Sequence, residues 1–175
     1  RKWLIIALIS YVEGVTIESL KQRISMKNIS ELQLGKAGEY LVCADLILNG
    51  YIAFPSEQGL SYDVVADVDG RLIRIQVKTT ACYRATPQRK GYLPTYLFHS
   101  RRCGKGGMRA YDNTDLDIMA FVCLQDKVIG YFPIKEVKMT MIFRVKKYCE
   151  MYKAKNTQGK YLEDFSIQKA LTLLA

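Results

Sequence analysis

A single histidine, His99, serves all 175 residues. That excludes an HNH-type nuclease and any multi-histidine metal centre, and it leaves little room for a Ser-His-Asp triad. With Arg101 and Arg102 just downstream, His99 reads as a strand residue or a phosphate contact rather than a catalyst. Cysteine is also sparse: the five thiols, at 43, 82, 103, 123 and 149, include no C-x-x-C pair. A zinc knuckle is therefore excluded, and an odd, irregular set points to reduced thiols in a cytosolic setting. No apolar run is long enough to cross a bilayer, since Trp3 to Ile9, the run behind Arg1 and Lys2, has only seven residues and no small-residue cleavage site after it. It reads as one buried helix. The sequence opens without Met, which implies residues upstream. The glycines at 104, 106 and 107 lack the G-x-x-x-x-G-K-[ST] frame, so there is no P-loop.

Acidic residues are missing from one long stretch. From Gly70 to Tyr111 there is no Asp or Glu, while ten basic residues fall there: Arg71, Arg74, Lys78, Arg84, Arg89, Lys90, Arg101, Arg102, Lys105 and Arg109. Upstream, from Glu31 to Asp69, seven acids face only Lys36. With a net charge of +9, this segregation suits a metal site beside a phosphate track, although a charge run is often only a solvated face. At 49% hydrophobic residues, the chain can bury the core of one domain with short additions.

The hairpin from Ser61 to Thr80 carries the sharpest signal. Asp69-Gly70 between two alternating runs predicts a two-residue type I′ turn. Val68 then faces Arg71, Asp67 faces Leu72 and Asp63 faces Gln76, with the last pair about 5 Å apart at Cβ. Alternation sets Val64, Ala66, Val68, Ile73, Ile75 and Val77 on an apolar face. Asp63, Gln76 and Lys78 share the opposite face, which is expected to be free for chemistry. The same register makes Arg74 and Asp67 a diagonal surface ion pair.

Around the hairpin, helices are expected over 2–12 and 17–24, a pair that vaguely resembles a helix-turn-helix but is equally explained by plain packing. Ser30 caps a helix from about 31 to 48, with Leu34, Ala37, Leu41, Ala44 and Leu48 at helical spacing and Asn49-Gly50 as its stop. Gly35 and Gly38 thin that helix around Glu39, as a close approach to the hairpin would require. Strands follow near 51–55, 95–100, 117–124 and 128–132. The segments 81–94 and 101–113 read as basic, flexible loops whose Arg84, Arg89, Lys90, Arg101, Arg102, Lys105 and Arg109 are candidate DNA contacts, with Tyr83, Tyr92 and Tyr96 available to stack or pack, packing being favoured for Tyr96. From Ile134 onward the chain reads as mostly helical and basic. The expected organisation is a helical extension over 1–30, a core over 31–135 and a basic helical segment over 136–175.

Glu39 on a helix, Asp63 at a strand start and Gln76-Val77-Lys78 on the next strand resemble the PD-(D/E)xK nuclease superfamily. The stretches G-K-A-G-E-Y, N-G-Y, Y-D-V-V and R-I-Q-V-K-T-T look most like its group I intron homing endonucleases, in which Gln replaces the usual second acid. The resemblance spans roughly 34 to 135. It implies an α/β fold with a restriction endonuclease-like core, a central mixed β-sheet flanked by helices. It also implies a Mg²⁺-dependent endonuclease acting on double-stranded DNA as a homodimer or homotetramer, with Mn²⁺ able to substitute. Asp63 and Gln76 offer hard oxygen ligands, joined, as the resemblance implies, by the Val77 carbonyl. Glu39 would act through water or help hold a second ion. Lys78 would orient the attacking water or stabilise developing charge, and Thr79 and Thr80 could donate to phosphate. The Pro of the family motif is absent, Tyr62 standing before Asp63. A junction resolvase or repair nuclease on the same core, and a non-catalytic DNA-binding protein, are the rival readings.

Overall fold

A computed structural model describes residues 29–84, 93–104, 107–151 and 159–174. The helices expected over 2–12 and 17–24 lie outside the described residues, as do Arg89, Lys90, Tyr92 and Lys105. Helix α1 (Glu31–Leu48) begins at Ser30, whose side chain accepts from the Gln33 amide while Gln33 reaches back to the Ser30 N–H. This reciprocal cap satisfies two of the amides that a helix start leaves unpaired. Strands β1 (Ile52–Pro55), β2 (Val64–Val68) and β3 (Arg71–Thr80) follow, then β4 (Thr95–His99) and the short β5 (Arg101–Gly104) and β6 (Gly107–Ala110). Next come β7 (Ile118–Cys123), β8 (Val128–Pro133), β9 (Thr140–Arg144), α2 (Lys146–Met151) and α3 (Ile167–Thr172).

The central sheet runs β1-β2-β3-β7-β8 and is mixed: β3 and β7 are parallel, and the other pairs antiparallel. The expected hairpin register holds at every pair, from Val64 opposite Ile75 to Val68 opposite Arg71. Asp69 and Gly70 both take positive φ, 52° and 82°, as a type I′ turn demands. Strand β3 outlasts its partner, because β2 pairing stops at Ile75 while β3 stays bonded to β7 as far as Thr80. A notch opens on the β2 side of Val77.

Both faces of this sheet are covered. Val64, Ala66, Ile73, Ile75 and Val77 pack on one side with Val42, Cys43 and Leu46 of α1 and Ile167 and Ala170 of α3. On the other side, Met119 and Phe121 of β7 meet Tyr96 and Phe98 of β4, Met141 and Phe143 of β9, and Leu162. The polar face of the hairpin is therefore not free: toward β7 it is roofed by a second, aromatic core, and Gln76 is only 8% exposed. Part of the roof, Met141, Phe143 and Leu162, comes from the C-terminal part of the chain. The region expected to be helical from Ile134 onward contains a strand, β9, which pairs antiparallel with β4 through Thr95 to Arg144 and Phe98 to Met141.

Helix α1 also faces differently from its expected stripe. Gly38, Val42, Cys43 and Leu46 are buried, whereas Ala37 and Ala44 are exposed and Leu48 is 87% exposed. Close approach sets this rotation: a Cβ on Gly38 would lie 2.0 Å from the Thr79 Oγ1, while Gly35 has open space around it. Gly38 thus supplies the expected thinning, and Gly35 does not. Tyr131 of β8 donates to Asp45 at 2.6 Å, pinning the far end of the helix.

Candidate active site

The notch beside β3 is where the polar residues gather. Asp63 precedes β2, its backbone fixed by its own N–H bonded to the Ile75 carbonyl and by its carbonyl accepting from Ser56, both at 2.9 Å. Beyond it no β2 residue remains to pair with Val77, so the Val77 N–H donates instead to Asp63 Oδ2 at 2.9 Å. The Gln76 amide nitrogen donates to the same oxygen and lies 3.3 Å from the Val77 carbonyl oxygen. Asp63, Gln76 and the Val77 main chain therefore converge. A half-turn of the Gln76 amide exchanges its nitrogen for its oxygen and would set three oxygens together. Hard oxygen donors, one charged and two neutral, suit Mg²⁺ or Mn²⁺ and not a thiophilic ion. Among the described residues no three His, Cys, Asp or Glu side chains cluster as a metal site, so a cation here would rely on the amide and the main chain.

Burial raises the Asp63 pKa above the usual carboxylate value; the Val77 N–H opposes this, Glu39 adds to it, and Lys78 and Lys36 counter it. Four charged side chains thus act on one another in the notch. Glu39 comes from α1, which packs on the apolar face, and its nearest partner is Lys36, whose Nζ lies 2.6 Å from Glu39 Oε2. Lys78 points toward the β5–β6 ribbon. Its Nζ is 3.3 Å from the Arg101 carbonyl oxygen, 3.4 Å from the Tyr111 hydroxyl and 5.2 Å from the centre of the Tyr111 ring.

Two neighbours here carried no assigned role in the sequence. Lys36 was legible as an i, i+3 partner of Glu39. Tyr111 gave no such signal, because its contact with Lys78 closes a loop of 33 residues.

Several expected roles change. Arg74 does not pair with Asp67; it grips Asp117 through Nε and Nη2 at 3.1 and 3.0 Å and donates to the Thr114 and Asn113 carbonyls. Asp67 caps the turn instead, accepting from the Gly70 N–H. The Thr79 hydroxyl is buried under Gly38, and Thr80 donates to the Cys82 carbonyl, so neither is directed to a phosphate. Tyr96 packs as favoured, buried and donating to Asp126 at 2.6 Å, and Tyr83 is buried as well, meeting the Tyr148 hydroxyl at 2.7 Å, so neither stacks on a ligand.

Among the candidate DNA contacts, Arg84 is exposed and its backbone bridges to Thr95. The segment 101–113 is not simply a loop: Arg101 to Gly104 pairs with Gly107 to Ala110, setting Arg102 opposite Arg109. Both guanidiniums reach Asp115 Oδ1, at 3.5 and 3.3 Å. His99 is exposed at the end of β4.

No curated protein matches the chain. Among solved structures it is similar in fold to a bacterial homing endonuclease, I-Ssp6803I, with a TM-score of 0.59 and 17% identity over 82% of this chain and 93% of that one. The model of the PD-(D/E)XK endonuclease family matches residues 29–168, nearly everything the notch, its helix and its aromatic roof are made of, and the chain belongs to that family.

Proposed function

We propose that the chain is a Mg²⁺-dependent endonuclease that hydrolyses phosphodiester bonds in duplex DNA at a specific site, in the manner of a homing endonuclease. The observation that carries this reading is the convergence of Asp63, Gln76 and the Val77 carbonyl where β2 gives out beside β3. A binding protein would have no physical need for such a convergence. Asp63, the Gln76 side-chain oxygen and the Val77 carbonyl would hold the ion, with Glu39 reaching it through water. Mn²⁺ would fit the same donors. A divalent ion bound there supplies Lewis-acid stabilisation of the phosphoryl oxygens and lowers the pKa of water.

The protein's own groups do the rest. Lys78 extends from β3 beside Asp63 and would hold the attacking water or meet charge developing on the phosphoryl group. Asp63 orders the notch by taking the Val77 N–H, which leaves the adjoining carbonyl turned to the same side. The ribbon arginines Arg101, Arg102 and Arg109, together with Arg84, Arg89, Lys90 and Lys105, would seat the backbone of the duplex. Because one chain carries one such site, cutting both strands calls for a homodimer or homotetramer.

The test incubates purified protein with supercoiled plasmids bearing varied sequences and with four-way junctions, in Mg²⁺, beside Lys78→Ala. Cutting of one long duplex site by wild type, with at least a ~100-fold loss in the variant and unchanged gel-shift affinity, supports the reading. Cleavage of junctions irrespective of sequence would make it a resolvase. Binding without cleavage by either protein would leave a DNA-binding module.

A further inference from the structure

Helix α1 brings a second lysine to the notch. Lys36 Nζ sits 2.6 Å from Glu39 Oε2, and its charge bears on Asp63 as well. The Tyr40 ring lies 5.7 Å from Lys36 Nζ, the Cys43 thiol feels both Glu39 and Lys36, and Lys78 acts on Asp63 from β3. Two carboxylates and two ammonium groups thus balance. In this family member position 76 is a neutral amide, so Asp63 and Glu39 are the acids available to attract a cation, and one of them is already engaged by Lys36. A divalent ion approaching Asp63 meets a repelling charge on the helix, and the Lys36 contact occupies one of the two Glu39 oxygens that the ion or its water would draw on. At 47% side-chain exposure Lys36 has room to swing into solvent without breaking the core.

We propose that Lys36 is the site's resident counter-ion: it holds Glu39 while no metal is bound and leaves as a divalent ion enters, setting the metal concentration at which the site fills. The proposal rests on reading Asp63, Gln76 and Val77 as a cation site. It makes Lys36 a positioning residue whose removal strengthens a function. An ordinary exposed helix pair predicts no such gain; its loss would lower stability slightly and leave ion binding untouched.

The experiment is a calorimetric titration of Mn²⁺ into the full chain without DNA, at pH 7.5 and low salt, for wild type, Lys36→Met, Lys36→Arg and Asp63→Asn. Folding of each is checked by circular dichroism. Lys36→Met should bind Mn²⁺ about three- to tenfold more tightly, the effect of one unit charge several ångströms from a divalent ion at water-like dielectric. Lys36→Arg should match wild type, and Asp63→Asn should lose binding. The gain should shrink as salt is raised. Equal or weaker binding by Lys36→Met, with Asp63→Asn still abolishing it, overturns the role of Lys36 and leaves the cation site standing. Absence of Mn²⁺ binding in every protein, wild type included, overturns both.

Discussion

At the scale of single residues, two carboxylates near β3 have been moved in opposite directions. Burial lifts the pKa of Asp63, so folding holds its proton more tightly than the unfolded chain does. The protein is then unpenalised below about pH 4 and loses stability as pH rises through the folded value. Asp63→Asn should therefore melt higher than wild type at pH 7 without metal, the gap closing near pH 4. Burial also disfavours the Asp117 charge, but the Arg74 side chain and backbone N–H outweigh it and hold its pKa down. That stability is present above about pH 4 and is lost as pH falls through the depressed value. Asp117→Asn should thus cost about 1–3 kcal/mol at pH 7, the size of charge-assisted hydrogen bonds, and progressively less in acid. Thermal melts of both variants from pH 3 to 8 should show opposite slopes. Parallel slopes would refute the assigned environments. The nearness of Gln76 to Asp63 was legible in the sequence because an Asp-Gly turn fixes register, but the burial that lifts the Asp63 pKa was not, since its face was expected to be free. The Arg74 partner was not, since Asp117 lies 43 positions away and only the β3–β7 pairing brings it near.

At the scale of elements, α1 and β3 are separated by the thickness of a glycine. Gly38→Ala pushes a methyl carbon into Thr79 and should cost about 1–3 kcal/mol in urea unfolding, as overpacking does. It should also lower cleavage, because Glu39 rides on the same turn. Thr79→Ala, which removes the nearest atoms, should restore part of the loss. Gly35→Ala meets nothing and should stabilise the helix by up to about 1 kcal/mol. Equal effects at the two glycines would contradict the packing described. Periodicity alone misplaced the buried face of α1, because Leu48 and Ala44 are as apolar as residues that are buried, and contact at Gly38 decides the rotation. The roof over Gln76 was hidden for a related reason. Polar residues at alternate positions imply solvent, and nothing local in Thr140 to Arg144 announces that it will pair with Thr95 to His99. The ribbon β5–β6 escaped notice because its glycines read as punctuation.

Across the whole molecule, charge of one sign is concentrated in the connection from β3 to β7, and the net charge of +9 makes long-range attraction to a polyanion a property of the entire chain. Each ribbon arginine that meets a phosphate should take about 0.9 from the slope of log affinity against log salt when replaced by alanine. Asp115→Asn, which releases Arg102 and Arg109 from their shared carboxylate, should tighten binding at low salt and steepen that slope. Gel shifts from 50 to 300 mM KCl would check both, and an unchanged slope for all three arginines would remove the ribbon from the interface. No helix among the described residues is long and apolar enough to cross a membrane.

The parallel pairing of β3 with β7 has one more consequence. Adjacent parallel strands cannot be joined by a tight turn, so the sheet obliges the chain to make a long excursion between Thr80 and Ile118. The ribbon within it is rooted at Arg101 and Tyr111, both touching Lys78. An exchange of residues 102–110 alone would leave those two anchors and all five sheet strands in place. The ribbon is thus separable from the sheet that carries Asp63, Gln76 and Lys78: a chain with residues 102–110 exchanged should keep its melting temperature within a few degrees, and a cooperative loss of fold would show that the ribbon holds the sheet together.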